Sequence, residues 1–216
     1  MPTPILIVDA FTDSAFAGNP AAVCLAPEPR IETWMQRVAN EMNLSETAFP
    51  VREGPCWRLR WFTPSVEVDL CGHATLAAAH ALWETGKVPP TDEIRFMSKS
   101  GPLTASRDGD WIALDFPAHS VAPRTAPPAL IEALGIEPTF TGFTGTDYFC
   151  ELPSLAALTA IRPDFRRLGQ VMTRGVIVTC RGEGEGTDFA SRFFAPAVGI
   201  PEDPVTGSAH CSLGPY

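Results

Sequence analysis

Three short stretches hold residue types that could move a proton. Glu46, in NLSETAF, is set between apolar Leu44 and Phe49. Desolvation by such neighbours raises a carboxyl pKa toward neutrality, so the group could both take and return a proton. An exposed Glu at a strand start is the competing reading, and the residues alone leave the two even. His73, two residues after Cys71, could donate to a substrate or relay a proton; a satisfied core histidine is the alternative, one that suits His80 better. Asp203, in EDPVTGSAHC, could accept a hydrogen bond from a substrate amine or hydroxyl, although capping or turn fixing is the commoner job for Asp before Pro and Gly.

The segment DLCGHATLAAAHALW, Asp69 to Trp83, delivers a polar turn into a helix with almost no polar face. Such a helix must be surrounded by protein, so its first-turn N–H groups point into an enclosed space. The amides of Gly72 and His73, with the helix dipole, could hold a carboxylate without any Lys or Arg. In EDPVTGSAHC the amides of Gly207 and Ser208 and the Ser208 hydroxyl stand in a matching layout; the plain role for Ser208 is capping or close packing. Two such turns suggest two related halves facing one site.

Other chemistries fit less well. Ser208, Asp203 and His73 or His210 supply the types of a hydrolase triad, but Ser208 is not in a G-x-S-x-G elbow and its partners are crowded in sequence. No phosphate-binding glycine motif follows a strand. Cys71 with His73, and His210 with Cys211, lack a carboxylate or second His at familiar ligand spacing, so no metal is expected. With a net charge of -9 and scattered Lys and Arg, no basic stripe can follow nucleic acid or an anionic membrane. No segment has the length of a membrane span, and MPTPILIVDAFTD lacks the basic start of a signal peptide. The six cysteines, never in a C-x-x-C pair, read as buried thiols of a cytoplasmic protein.

Positioning these residues requires two α/β (α+β) units. Ile5 to Ala10 and Ala21 to Ala26 read as a strand pair around a Gly-Asn-Pro turn. Ile31, Trp34, Met35, Val38, Ala39 and Met42 mark an amphipathic helix ended by Asn43. Strands follow from Glu46 and over Arg58 to Phe62, where Trp57, Leu59 and Trp61 share one face. TPSVEVDL gives a turn and short strand, and the central helix stops near Gly86, followed by strands at Ile94–Ser98, Leu103–Arg107 and Trp111–Phe116. Residues 1–117 form the first domain, 118–128 a proline-rich linker and 129–216 the second. The second offers a helix at Ala129–Leu134, an amphipathic segment from about Ser154 to Val171, and strands near Tyr148–Leu152, Val176–Cys180 and Phe189–Phe194. GEGEGTD, Gly182 to Asp188, reads as a solvated hairpin tip. Few residues follow Gly207, so the second domain is expected to be truncated within its central helix.

Glu46 in NLSETAF, Phe62 to Pro64 in RWFTP, Gly18 to Val23 in GNPAAV, the CGH turn and EDPVTGSAHC arrive in the order in which the phenazine-biosynthesis PhzF-like family carries them, and the chain resembles that family from VDAFT onward. The resemblance implies a diaminopimelate epimerase-like fold: two similar domains, each a curved, mixed, largely antiparallel sheet wrapped around a central helix, with the site between them. It implies cofactor-independent isomerisation of a small carboxylate, with Glu46 as acid/base and Asp203 and Ser208 in the substrate site; His73, from its place at the helix start, would position or assist. It is compatible with a homodimer. In related racemases two cysteines work from the two helix starts; here Cys71 has the first place but Thr206 the second, and a hydroxyl is a far poorer base than a thiolate. One carboxyl shuttling a proton is therefore preferred. A non-catalytic metabolite-binding or assembly protein with the same pocket is the alternative, distinguished by whether substrate C–H exchanges with deuterated water.

Overall fold

The structure, a computed structural model, describes residues 2–14, 16–184 and 186–216. Two compact units, Met1–Pro117 and Ala118–Tyr216, divide the chain.

In the first unit β1 (Ile5–Ala10) and β2 (Asn19–Cys24) pair antiparallel. Gly18 turns the chain between them at φ +74, where a Cβ would stand 2.2 Å from the Ala10 carbonyl oxygen; only glycine fits. Helix α1 (Glu32–Met42) follows and ends where Asn43 takes the left-handed conformation, its N–H donating to the Ala39 carbonyl. Its periodic apolar face meets the sheet: Met35 and Ala39 join Cys24, Phe49 and Phe62 in one buried cluster. After α1 come β3 (Glu46–Glu53), β4 (Cys56–Phe62), β5 (Glu67–Val68), helix α2 (Gly72–Glu84), β6 (Ile94–Ser98), β7 (Gly101–Asp108) and β8 (Trp111–Asp115).

The sheet order is β1-β2-β3-β4-β6-β7-β8, with β5 on β4. Two neighbours, β2/β3 and β4/β6, are parallel, and each of these pairs is spanned by a helix, as parallel pairing demands a crossover. Helix α2 packs against β1, β2 and β3 and also against β8, so the sheet curls around it. That wrap is possible because Ala74, Ala77, Ala78 and Ala81 are all fully buried and small enough to bring helix and strands close. Thr85 is the C-cap, and Gly86 follows at φ +67.

The second unit contains β9 (Ala122–Pro123), α3 (Pro128–Leu134), β10 (Phe140–Phe143), β11 (Asp147–Glu151), α4 (Leu155–Ala160), α5 (Phe165–Leu168), β12 (Gly175–Arg181), β13 (Phe189–Ala195), β14 (Ile200–Asp203) and α6 (His210–Leu213). Its sheet order is β14-β13-β12-β11-β10-β9, with only β11/β12 parallel, spanned by α4 and α5. Strand alternation divides the core into two layers. Tyr148, Cys150, Val176 and Val178 pack with Leu130, Leu134, Leu158 and Leu168 of the helices, whereas Phe149, Ile177 and Phe193 face Ala209 and Leu213.

Several expectations change here. The proline-rich 118–128 segment lies within the second unit and carries β9, whose residues Ala122 and Pro123 pair with β10. The amphipathic segment expected from Ser154 to Val171 is two short helices, because Pro163 cannot continue a helix and Asp164 starts a new one as its N-cap. Strands β9, β10 and β14 are too short to show a period. In the GEGEGTD segment Glu185 lies outside the described residues; Glu183 accepts a hydrogen bond from the Leu155 amide at the start of α4. No helix of the described residues is long and apolar enough to cross a membrane.

Candidate active site

Glu46 is the first residue of β3, opposite Ala21 of β2, and β2 and β3 both pack on α2. A strand start buried on both faces leaves its carboxyl group little water: Glu46 is only 7% exposed. The exposed-Glu reading is thereby removed. The CGH turn comes to meet it. Cys71 is the N-cap of α2 but does not cap with its side chain; its Sγ lies 3.5 Å from His73 Nδ1. The opposite ring nitrogen, Nε2, lies 3.4 Å from a Glu46 carboxylate oxygen. His73 is 2% exposed, and burial pushes its pKa down to about 4. Burial is the cause of the shift. At neutral pH the ring is therefore uncharged, with one N–H donor and one acceptor nitrogen.

The turn that feeds α2 is held from several sides. The Thr63 amide donates to the Val66 carbonyl, Gln36 of α1 donates to the Thr63 carbonyl, and Asn40 donates to that of Pro64. This is the structural work of the RWFTP motif. Arg60 forms a two-pronged ion pair with Glu67, which also meets Lys99. Burial disfavours the Glu67 charge, but Arg60 and Lys99 override it and hold the carboxyl below its usual range.

In the second unit Asp203 ends β14 and accepts a hydrogen bond from the Thr206 hydroxyl at 2.6 Å. Thr206 is the N-cap of a 3-10 turn, Gly207–Ala209, in which Ser208 is buried. His210 is exposed and turns Nδ1 to the Thr206 carbonyl. Thus Glu46, Gly72 and His73 are gathered in the first unit, and Asp203, Gly207 and Ser208 lie along one turn of the second. The expectation for the two histidines of α2 is reversed in burial, since His73 is the enclosed one and His80 only half-buried. The Cys71–His73 contact has one trace in the sequence, the i, i+2 spacing of the pair across a helix N-cap.

Residues 8–216 match the family described as phenazine biosynthesis-like protein, PhzC-PhzF. The chain belongs to that family. An uncharacterised isomerase of Halalkalibacterium halodurans is 55% identical over 219 residues, covering 100% of this chain and 82% of the relative. The crystal structure of a PhzF-family protein of Enterococcus faecalis superposes with a TM-score of 0.87 at 44% identity, over 100% of this chain and 82% of that one. A protein of Pseudomonas aeruginosa named as a predicted epimerase shares the fold, with a TM-score of 0.73 at 21% identity, over 100% of this chain and 81% of that one. The fold is accordingly the mixed, two-domain PhzF and epimerase architecture. Within this PhzF-like chain the N-cap is Cys71 at the start of α2 in the first unit and Thr206 at the start of a 3-10 turn in the second.

Proposed function

We propose that the protein is a cofactor-independent isomerase of a small carboxylate, in which Glu46 removes a proton from carbon and returns it elsewhere on the same molecule. The observation that carries this reading is the buried Glu46–His73 contact at the start of an apolar helix. A carboxyl group so enclosed exchanges its proton with a bound substrate rather than with bulk water, and neutral His73 can donate to or accept from it as charge develops. The Gly72 and His73 amides would hold the substrate's acid group. Asp203 would accept from a substrate N–H or O–H, and Gly207 and Ser208 would bind substrate. The single thiol among the two N-caps favours one shuttling carboxyl over a two-base stereoinversion.

The test is hydrogen exchange. A panel of small unsaturated and amino- or hydroxy-substituted carboxylic acids is incubated with the protein in deuterated water, and C–H exchange is followed by NMR. Glu46→Gln should lower the exchange rate by about 10²–10⁴ while leaving binding largely intact. An unchanged rate in the variant removes Glu46 from the role, and binding without exchange in the wild type makes the protein a binder.

A further inference from the structure

The buried ring of His73 stands between two unlike groups. Cys71 Sγ lies 3.5 Å from Nδ1, within hydrogen-bonding range for sulfur, and a Glu46 carboxylate oxygen lies 3.4 Å from the opposite nitrogen, Nε2. The second separation is longer than a formed N–H···O bond, so among the described residues the sulfur is the hydrogen-bond partner of this ring.

A neutral imidazole carries one hydrogen, and the bond made by one ring nitrogen decides where it sits. On Nδ1 the hydrogen would leave the Nε2 lone pair facing a carboxylate oxygen, two electron-rich atoms opposed in a buried site where repulsion is little screened. On Nε2 it points at the carboxylate and leaves Nδ1 as an acceptor, which the S–H of Cys71 fills. From this arrangement we infer that Cys71 is a positioning residue: its thiol donates to His73 Nδ1 and so keeps the ring hydrogen on Nε2, toward Glu46.

The setting of Cys71 suits that task. Its carbonyl accepts from both the amide and the hydroxyl of Thr75, which ties Cys71 to the first turn of α2, and its side chain makes no capping bond. Serine, threonine, asparagine or aspartate at an N-cap turns an oxygen onto the first-turn amides. Sulfur is a weak acceptor, so a cysteine leaves those amides to a substrate's acid group and offers its S–H to the ring. The consequence for catalysis rests on the proposed role of Glu46. With Nε2–H directed at one carboxylate oxygen, the other oxygen takes the proton from the substrate carbon, and the electron pair of that C–H bond stays with the substrate until the proton is returned. The position of the ring hydrogen does not depend on that reaction.

The experiment is NMR at neutral pH on full-length protein carrying ¹⁵N in its histidines, in which a bare ring nitrogen and a protonated one resonate far apart. His73→Gln identifies the His73 signals among those of the four histidines. Wild type should show Nδ1 bare and Nε2 protonated. Cys71→Ala should draw the two signals together as the second tautomer becomes populated. Glu46→Gln, which leaves the thiol in place and offers an amide oxygen to Nε2, should keep the wild-type pattern; circular dichroism confirms that both variants are folded. In the deuterium-exchange assay on the carboxylic acid panel, Cys71→Ala should be slower by about 10–100-fold. A wild-type ring protonated at Nδ1 overturns the inference without any variant. So does an unchanged pattern in Cys71→Ala, a pattern lost in Glu46→Gln, or an exchange rate indifferent to Cys71→Ala. The tautomer is read without turnover, so the expected pattern in a protein that exchanges no C–H refutes the isomerase reading alone, and C–H exchange by a protein whose ring hydrogen sits on Nδ1 refutes the role of Cys71 alone.

Discussion

Acidification should loosen the first domain through one side chain. His73 titrates near its ordinary value of about 6.5 in the unfolded chain. In the folded protein burial holds it at about 4. Between those two values the unfolded state binds a proton that the native state does not, so stability falls as pH falls. The full difference is about 3 kcal/mol, of which about 2 kcal/mol is lost by about pH 5. The loss can be read in this domain alone, because Trp34, Trp57, Trp61, Trp83 and Trp111 all lie within Met1–Pro117. Urea unfolding followed by tryptophan fluorescence at about pH 7 and about pH 5, on wild type and His73→Gln, isolates the contribution: the wild type should lose about 2 kcal/mol more than the variant. Equal losses would mean that His73 is not held neutral by burial. A smaller loss in wild type than in the variant would mean that the Glu46 carboxylate holds the ring as imidazolium, reversing the sign.

Gly18→Ala should destabilise the first domain by about 1–3 kcal/mol, measured by the same unfolding curve, because the residue needs positive φ and its methyl would strike the Ala10 carbonyl. Arg60→Met should cost about 1.5–3 kcal/mol, since Glu67 would keep Lys99 but lose its two-pronged partner, and the loss should shrink in acid as Glu67 is protonated. Burial pushes the Cys24 thiol up to about 11 and that of Cys150 up to about 12, so in the native protein iodoacetamide should label half-buried Cys56 while those two react only after unfolding, as peptide mass spectrometry can show.

Local signals carried much of the first domain. The period of α1, its Asn43 stop, the face shared by Trp57, Leu59 and Trp61, and the β6 to β8 strands are all legible in the sequence, because each is written in residues only a few positions apart. The elements that escaped, β9, β10 and β14, are short and draw their hydrogen bonds from partners outside their own stretch. The break between α4 and α5 is written in Pro163, which overrides the apolar period running through both helices.

The sequence by itself determined which chemistries were available: a carboxyl group among apolar neighbours, a Cys-Gly-His turn opening an alanine-rich helix, and a second turn with threonine in place of the thiol. Tertiary structure decided which of these act on one another. Burial and charge depend on neighbours far along the chain, so that Glu46 is enclosed rather than exposed, His73 rather than His80 is the sequestered ring, and a carboxylate 25 positions upstream becomes the third member of the Cys71–His73 pair. Parallel pairing of β2 with β3 and the curl of the sheet around α2 bring them together, and no spacing within either motif encodes that encounter.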